Sequence, residues 1–228
     1  AACGAVRVVA HRPLAGWMSA LTDALGTGLT HFTRAVTGAQ ARWIGCAPAA
    51  IQRIYFGNHA SHADFALIWA SLPYDLRVRT RPVAGADYWE KGRVRSWVIH
   101  EVLRGVLIDR AGHARTRDPI DIIVEALDQG DSLIVFPEGT RNMTDELLLP
   151  FKSGIYRVAC RRPDVQLVPV WMENQGRVLP KGEFIPVPLL CSVNFGAPIK
   201  LEPGEQKDAF LARTRQGLLD LATSIHPK

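Results

Sequence analysis

An imidazole and a carboxylate stand five positions apart in Asn58-His59-Ala60-Ser61-His62-Ala63-Asp64, and a second cluster, Phe136-Pro137-Glu138-Gly139-Thr140-Arg141, lies far downstream. On one helix a separation of five residues turns roughly 500°, leaving the two side chains about 140° apart. His59 and Asp64 therefore meet only if His59 sits in a loop and Asp64 in the first turn of the helix that follows. An aspartate bonded to one imidazole nitrogen fixes the tautomer and leaves the other nitrogen as a base. Such a base takes a proton from a hydroxyl that the substrate itself brings, so no serine or cysteine nucleophile is needed. Two plainer readings stand beside this one. Ser61-x-x-Asp64 resembles a capping box, in which Asp64 only satisfies a helix terminus. His59 and His62 with Asp64 also fit the start of a metal site, although no further ligand cluster accompanies them.

The second cluster complements the first. Gly139 lets backbone N–H groups approach an anion, and Arg141 at its end offers a planar fork for phosphate oxygens. Glu138 is unexpected in an anion cradle. Its roles by type are to hold Arg141 or another base in position, or to bond a substrate hydroxyl. A third stretch, Gly105-Val106-Leu107-Ile108-Asp109-Arg110, again brings an arginine to the end of a short apolar run, and Lys152 follows Pro150-Phe151. Singly, each matches an ordinary surface turn. Together they place His/Asp, Asp/Arg and Glu/Arg at three strand ends, where open α/β sheets bind ligands.

The elements that must position these groups are legible in the apolar spacing. Gln52–Gly57 reads as a short strand, and Ser61 as the cap of a helix running through Phe65 to Leu72 and ended by Pro73. Arg77–Val83 reads as a strand, Arg93–Leu103 as a helix and Val106–Asp109 as a strand. Asp118 with Pro119 opens a helix whose stripe is Ile120, Ile123, Val124 and Leu127, and Gly130 closes it. Ser132–Phe136, Val165–Met172 and Cys191–Phe195 read as strands, Phe151–Cys160 as a helix, and Glu205–Ile225 as an amphipathic tail helix. Alternation of this kind predicts an α/β fold with a mixed, largely parallel sheet flanked by helices.

The first 45 residues read as a separate helical segment, and 46–228 as the domain carrying the chemistry. Leu14, Trp17, Met18, Leu21, Leu25, Leu29 and Phe32 recur every three or four residues, with Arg7, Arg12, Arg34 and Arg42 around them. The spacing fits one helix or a broken pair. Its apolar face suits a membrane interface or a protein core equally. No run of about 18 uncharged apolar residues is present, so a spanning helix is not indicated. The net charge of +5 and pI near 9.2 suit nucleic acid, anionic membrane or a phosphorylated substrate alike. Cys3, Cys46, Cys160 and Cys191 lack metal-ligand or redox spacing, which points to a reducing compartment.

At these residues the chain resembles the lysophospholipid and glycerolphosphate acyltransferase family. That family's motifs are Asn-His-x-Ser-x-x-Asp, Gly-x-x-x-Asp-Arg, Phe-Pro-Glu-Gly-Thr-Arg and a short apolar stretch with a central proline. They are matched here by 58–64, 105–110, 136–141 and Val168-Pro169-Val170, in order, over roughly Gln52 to Pro198. The resemblance implies an acyltransferase fold with His59 as general base and Asp64 as its orienting group. It implies that Asn58, Ser61, Arg110, Glu138, Gly139, Thr140 and Arg141 bind substrate. The acyl donor would be acyl-CoA or acyl carrier protein, with no metal, no other cofactor and no covalent acyl-enzyme. The acceptor would be a membrane lipid, foremost 1-acylglycerol 3-phosphate. The protein would lie on the cytoplasmic face of a membrane, peripheral or monotopic, with no nucleic-acid partner. Two departures bear on the acceptor: position 62 is histidine, where many members carry a bulky apolar residue, and Gly85–Trp89 replaces a lysine-rich pattern some members show. Competing expectations are another lipid or glycan acceptor, or a peripheral lipid-binding module without catalysis.

Overall fold

The computed structural model describes residues 16–61, 64–109, 117–173 and 191–225. Seven strands form one sheet, named in chain order β1 (Gln40–Trp43), β2 (Arg53–Gly57), β3 (Thr80–Gly85), β4 (Val106–Ile108), β5 (Ser132–Val135), β6 (Gln166–Met172) and β7 (Ser192–Phe195). Their spatial order is β1-β7-β6-β2-β5-β3-β4. Every neighbouring pair is parallel except β6 with β7. The mixed, largely parallel α/β sheet expected from the alternation of elements is thus the observed one.

The helices are α1 (Gly16–Thr37), α2 (Asp64–Ser71), α3 (Tyr74–Arg77), α4 (Ala86–Trp89), α5 (Arg93–Trp97), α6 (Pro119–Asp128), α7 (Gly154–Arg161) and α8 (Lys207–Ile225), with a π-helical turn at Val98–Val102 continuing α5. Both faces of the sheet are covered. Ile54 and Phe56 of β2 point to one face, where they join Leu133, Ile123, Leu127, Phe210 and Leu218. Tyr55, between them, points to the other face with Ile134, Val168, Leu67 and Ile68. This two-sided burial is why β2 and β5 read as unbroken apolar runs rather than alternating ones. All of β2 is buried, and it lies between β5 and β6 in the middle of the sheet.

Differences from the expected elements have local causes. Asp118 caps α6 as its sequence suggested, accepting the Ile120 amide at 3.0 Å, and Gly130 follows the helix with φ +87°. The expected strand from Arg77 begins later, because the amides of Leu76 and Arg77 bond the Pro73 carbonyl and wind α3 instead. The helix expected from Phe151 starts at Gly154. Phe151 packs edge-on against Phe56, and the Lys152 amide is bonded to the Pro137 carbonyl at 2.9 Å, so both residues precede the helix. The β1 strand escaped notice because it is an edge strand whose first three residues are exposed, leaving no burial pattern to read. It falls within the N-terminal 45 residues, yet it pairs with β7 and so belongs to the sheet.

The N-terminal apolar stripe forms a single helix, α1, over its described part. Among its residues 22–33, the buried ones are Gly26, Thr30 and Thr33, with the Gly26 backbone close against the Trp69 ring of α2. Leu29 is half-buried, whereas Leu25 is 39% and Phe32 60% exposed. The helix therefore packs through its small residues and turns part of its apolar stripe outward. No helix among the described residues is long and apolar enough to cross a membrane.

Gln52 braces the sheet edge where β2 and β5 begin. Its amide nitrogen donates to the carbonyls of Leu127 at 2.5 Å and Asp131 at 2.8 Å, and its oxygen accepts from Arg162 at 2.8 Å. Gln52→Leu removes three hydrogen bonds, although the Leu127 carbonyl keeps the Gly130 amide and Arg162 keeps Asp164, and the net loss costs about 1–3 kcal/mol. The expected result is a fall in melting temperature of roughly 2–4 °C per kcal/mol. An unchanged thermal unfolding curve would show that the brace carries no stability.

Candidate active site

Parallel pairing brings the carboxyl ends of β2, β5 and β6 to one edge, so the segments that leave them are neighbours. Residue 59 lies two positions beyond β2, and residue 136 directly follows β5. The His59 ring stacks on Phe136 with centroids 4.2 Å apart and planes 13° from parallel. Its Nδ1 lies 2.9 Å from Asp64 Oδ2. Asp64 is the first residue of α2 and is fully buried. The same Oδ2 accepts the amides of Ala60 at 2.7 Å and Ser61 at 2.8 Å. One carboxylate oxygen thus gathers the turn and holds the ring, and the capping and base-orienting readings of Asp64 are one arrangement. With Nδ1 donating to the carboxylate, Nε2 is left as the acceptor nitrogen. His59 keeps 17% side-chain exposure, so the ring is held but not sealed.

Two further side chains fix the turn. Asn58 acts like one more strand residue: its Nδ2 donates to the Met172 carbonyl at 3.0 Å and its Oδ1 accepts the Met172 amide at 2.9 Å. Both polar atoms of this buried amide are thereby joined to the end of β6. Glu138, 2% exposed, accepts the His59 amide through Oε1 at 2.8 Å and the Leu149 amide through Oε2 at 3.0 Å. Burial pushes its carboxyl above the ordinary range, against the pull of the Leu149 and His59 amides. The Asn142 amide returns the tie by donating to the His59 carbonyl at 2.6 Å. Phe136, Asn142 and Leu149 had no assigned role in the sequence. Phe136 opens the second cluster and was visible there, whereas the other two act through backbone N–H groups that carry no side-chain signature.

The remaining expected site residues fall as follows. Ser61 is buried beside Asp64. Gly139 adopts φ +69°, Thr140 is exposed, and Arg141 is half-buried, one residue before the Asn142–His59 bond. Arg110 and His62 lie outside the described residues. β4, which leads to Arg110, ends on the same edge but three places from β2, about 14 Å away at ordinary strand spacing. Cys191 lies near this machinery without joining it: burial, with the Asp64 carboxylate adding, pushes its thiol up to about 11. A thiol so far from ionisation is a poor nucleophile.

An acyltransferase family model matches residues 46–173, which hold His59, Asp64 and the whole second cluster. The chain belongs to the acyltransferase family. It is 30% identical over 189 residues to a 1-acyl-sn-glycerol-3-phosphate acyltransferase of Cocos nucifera, covering 75% of this chain and 56% of that protein. It is 29% identical over 177 residues to the protein of the same name from Limnanthes douglasii, covering 73% and 60%. Tafazzin of Drosophila melanogaster is 26% identical over 166 residues, covering 68% and 42%. The chain thus spans about half to three fifths of the length of the first two relatives. The fold matches that of the crystal structure of the 1-acyl-sn-glycerophosphate (LPA) acyltransferase, PlsC, from Thermotoga maritima, with TM-score 0.68 at 20% identity, covering 92% of this chain and 80% of that one.

Within this site, Glu138 reaches His59 through the histidine's backbone amide, with both carboxylate oxygens already engaged. Glu138→Ala orphans two N–H groups, at about 1–3 kcal/mol each where they stay buried. The variant should melt at lower temperature and, in an acyl-transfer assay below that temperature, lose turnover with little change in acceptor KM. A raised KM at intact turnover would mean that the carboxylate contacts substrate instead.

Proposed function

We propose that the chain transfers a fatty acyl group from a thioester to the free hydroxyl of a lysophospholipid, with 1-acylglycerol 3-phosphate as acceptor and phosphatidic acid as product. The observation that carries this reading is the buried Asp64 carboxylate holding His59 Nδ1 at 2.9 Å at the carboxyl end of a central strand. Two relatives whose names specify 1-acyl-sn-glycerol-3-phosphate support the acceptor. In this reading His59 Nε2 takes the proton of the acceptor hydroxyl as its oxygen attacks the thioester carbonyl. The imidazolium that forms is stabilised by Asp64. Collapse of the tetrahedral intermediate breaks the carbon–sulfur bond, and the imidazolium returns its proton to the departing thiolate. No covalent acyl-enzyme is formed. The donor is acyl-CoA or acyl carrier protein, and Arg141, with Arg110, binds the acceptor phosphate.

General-base catalysis contributes about 10²–10⁴ in rate. His59→Ala should therefore lose most turnover from an acyl thioester to 1-acylglycerol 3-phosphate, followed by mass spectrometry, with its melting temperature nearly unchanged. A well-folded His59→Ala protein that works at the normal rate would falsify the mechanism.

The same reading seats the protein on a membrane surface at its cytoplasmic face, where both lipid substrate and product reside. Leu25 and Phe32, outward on α1, support a peripheral contact. An apolar helix ridge settles at the boundary between headgroups and acyl chains. Replacing Leu25 and Phe32 together by serine should weaken co-sedimentation with anionic vesicles several-fold. Undiminished binding by that double variant would move the contact elsewhere on the molecule.

A further inference from the structure

By sequence Lys152 is only a nearby positive charge, but its placement in the structure is specific. Phe151 is anchored in the core against Phe56 of β2, and the Lys152 amide is tied to the Pro137 carbonyl at 2.9 Å. From this fixed base the side chain lies across Gly139. A methyl group added to Gly139 would stand 2.7 Å from Lys152 Cδ, 2.9 Å from Cε and 3.0 Å from Nζ. The glycine is required by its φ of +69°, and the close approach of Cδ, Cε and Nζ places the end of the lysine directly over it. Among the described residues no ion pair joins either Lys152 or Arg141 to a carboxylate.

The charges around this point are unbalanced in an informative way. The buried Glu138 carboxylate belongs to the Glu138–Arg141 turn, the buried Asp64 carboxylate holds the ring of the His59 that Glu138 fastens, and each is already engaged by N–H groups. A phosphate dianion brought beside two buried carboxylates is repelled unless cations stand between. Lys152 lies over that turn, its ammonium in no ion pair among the described residues.

We propose that Lys152 is a phosphate-binding residue, acting with Arg141 to hold the phosphate monoester of the acyl acceptor over the Gly139 turn. This inference rests on the proposed transfer to a phosphate-bearing lysophospholipid. The lysine acts as a point charge and the arginine as a fork, so the pair grips a rotating monoester from two directions. The nucleotide phosphates of a CoA donor share the same chemistry, and the kinetics separate the two sources.

The experiment compares the unaltered protein with Lys152→Ala and Lys152→Arg, varying 1-acylglycerol 3-phosphate, then monoacylglycerol, then acyl-CoA. Lys152 is exposed, so both variants should keep the melting temperature of the unaltered protein. Loss of a charge-assisted bond should raise the acceptor KM of Lys152→Ala by about tenfold to a hundredfold. The donor KM should stay put, the preference for the phosphorylated acceptor should shrink, and Lys152→Arg should recover much of the loss. Phosphate preference intact in Lys152→Ala, or a rise in donor KM alone, overturns the assignment while leaving the transfer reaction standing. Failure of the unaltered protein to acylate 1-acylglycerol 3-phosphate overturns the functional reading and this assignment with it.

Discussion

A single buried oxygen, Oδ2 of Asp64, accepts three N–H groups: the His59 ring and the amides of Ala60 and Ser61. The rest of the site is arranged around that constraint. A buried carboxyl group is costly unless it is hydrogen-bonded, and here the bonds that satisfy it are those that curl the chain from β2 into α2. Shape and electrostatics cannot be varied separately. Whatever loosens the turn removes donors from the carboxylate, and whatever neutralises the carboxylate frees the ring. Asp64 Oδ1 is buried without a partner among the described residues, which concentrates the anion's role in the other oxygen.

The constraint works only because the turn is also fastened from outside. Asn58 joins it to the end of β6, and Glu138 joins it to the β5 turn and to Leu149. Phe136 supplies a flat wall for the ring. Each fastening crosses between strands that neighbour β2, so the central place of β2 in the sheet is a requirement of the site. A base carried at the sheet edge would have neighbours on one side only. The opposite ends of β2 and β5 are braced by Gln52, which contacts none of these groups. Stability is thus reinforced at one edge and chemistry is assembled at the other, as is general for open α/β sheets.

Much of this was legible in the letters, for identifiable reasons. The strands β2, β5 and β6 announced themselves as apolar runs, and α6 through Asp118, Pro119 and Gly130, because burial and capping act on side-chain type. His59 and Asp64 were legible as a pair because five residues is a spacing that only a loop-to-helix junction can close. What stayed hidden acts through the backbone or through tertiary context. The donors Leu149 N–H and Asn142 N–H belong to residues of no special type. Glu138 is open by letter between holding a base in position and bonding a substrate hydroxyl, and only the structure shows its two oxygens accepting the His59 and Leu149 amides. The outward turn of Leu25 and Phe32 is equally invisible to periodicity, which locates an apolar stripe without saying which side of it meets the protein.

The placement of negative charge has a consequence for specificity. Two carboxylates, Asp64 and Glu138, lie buried at the catalytic edge, and burial raises the proton affinity of Glu138 enough to be visible above its hydrogen bonds. A site so constituted disfavours an anionic substrate by default. An acceptor carrying a phosphate enters only where cations are fixed in advance, and a neutral acceptor needs none. In the proposed reaction, Arg141 and Lys152, in the segment that follows β5, would select the acceptor rather than accelerate the proton transfer. The proposed base and the proposed selecting cations then occupy different segments of one edge, the first on the β2–α2 turn and the second after β5.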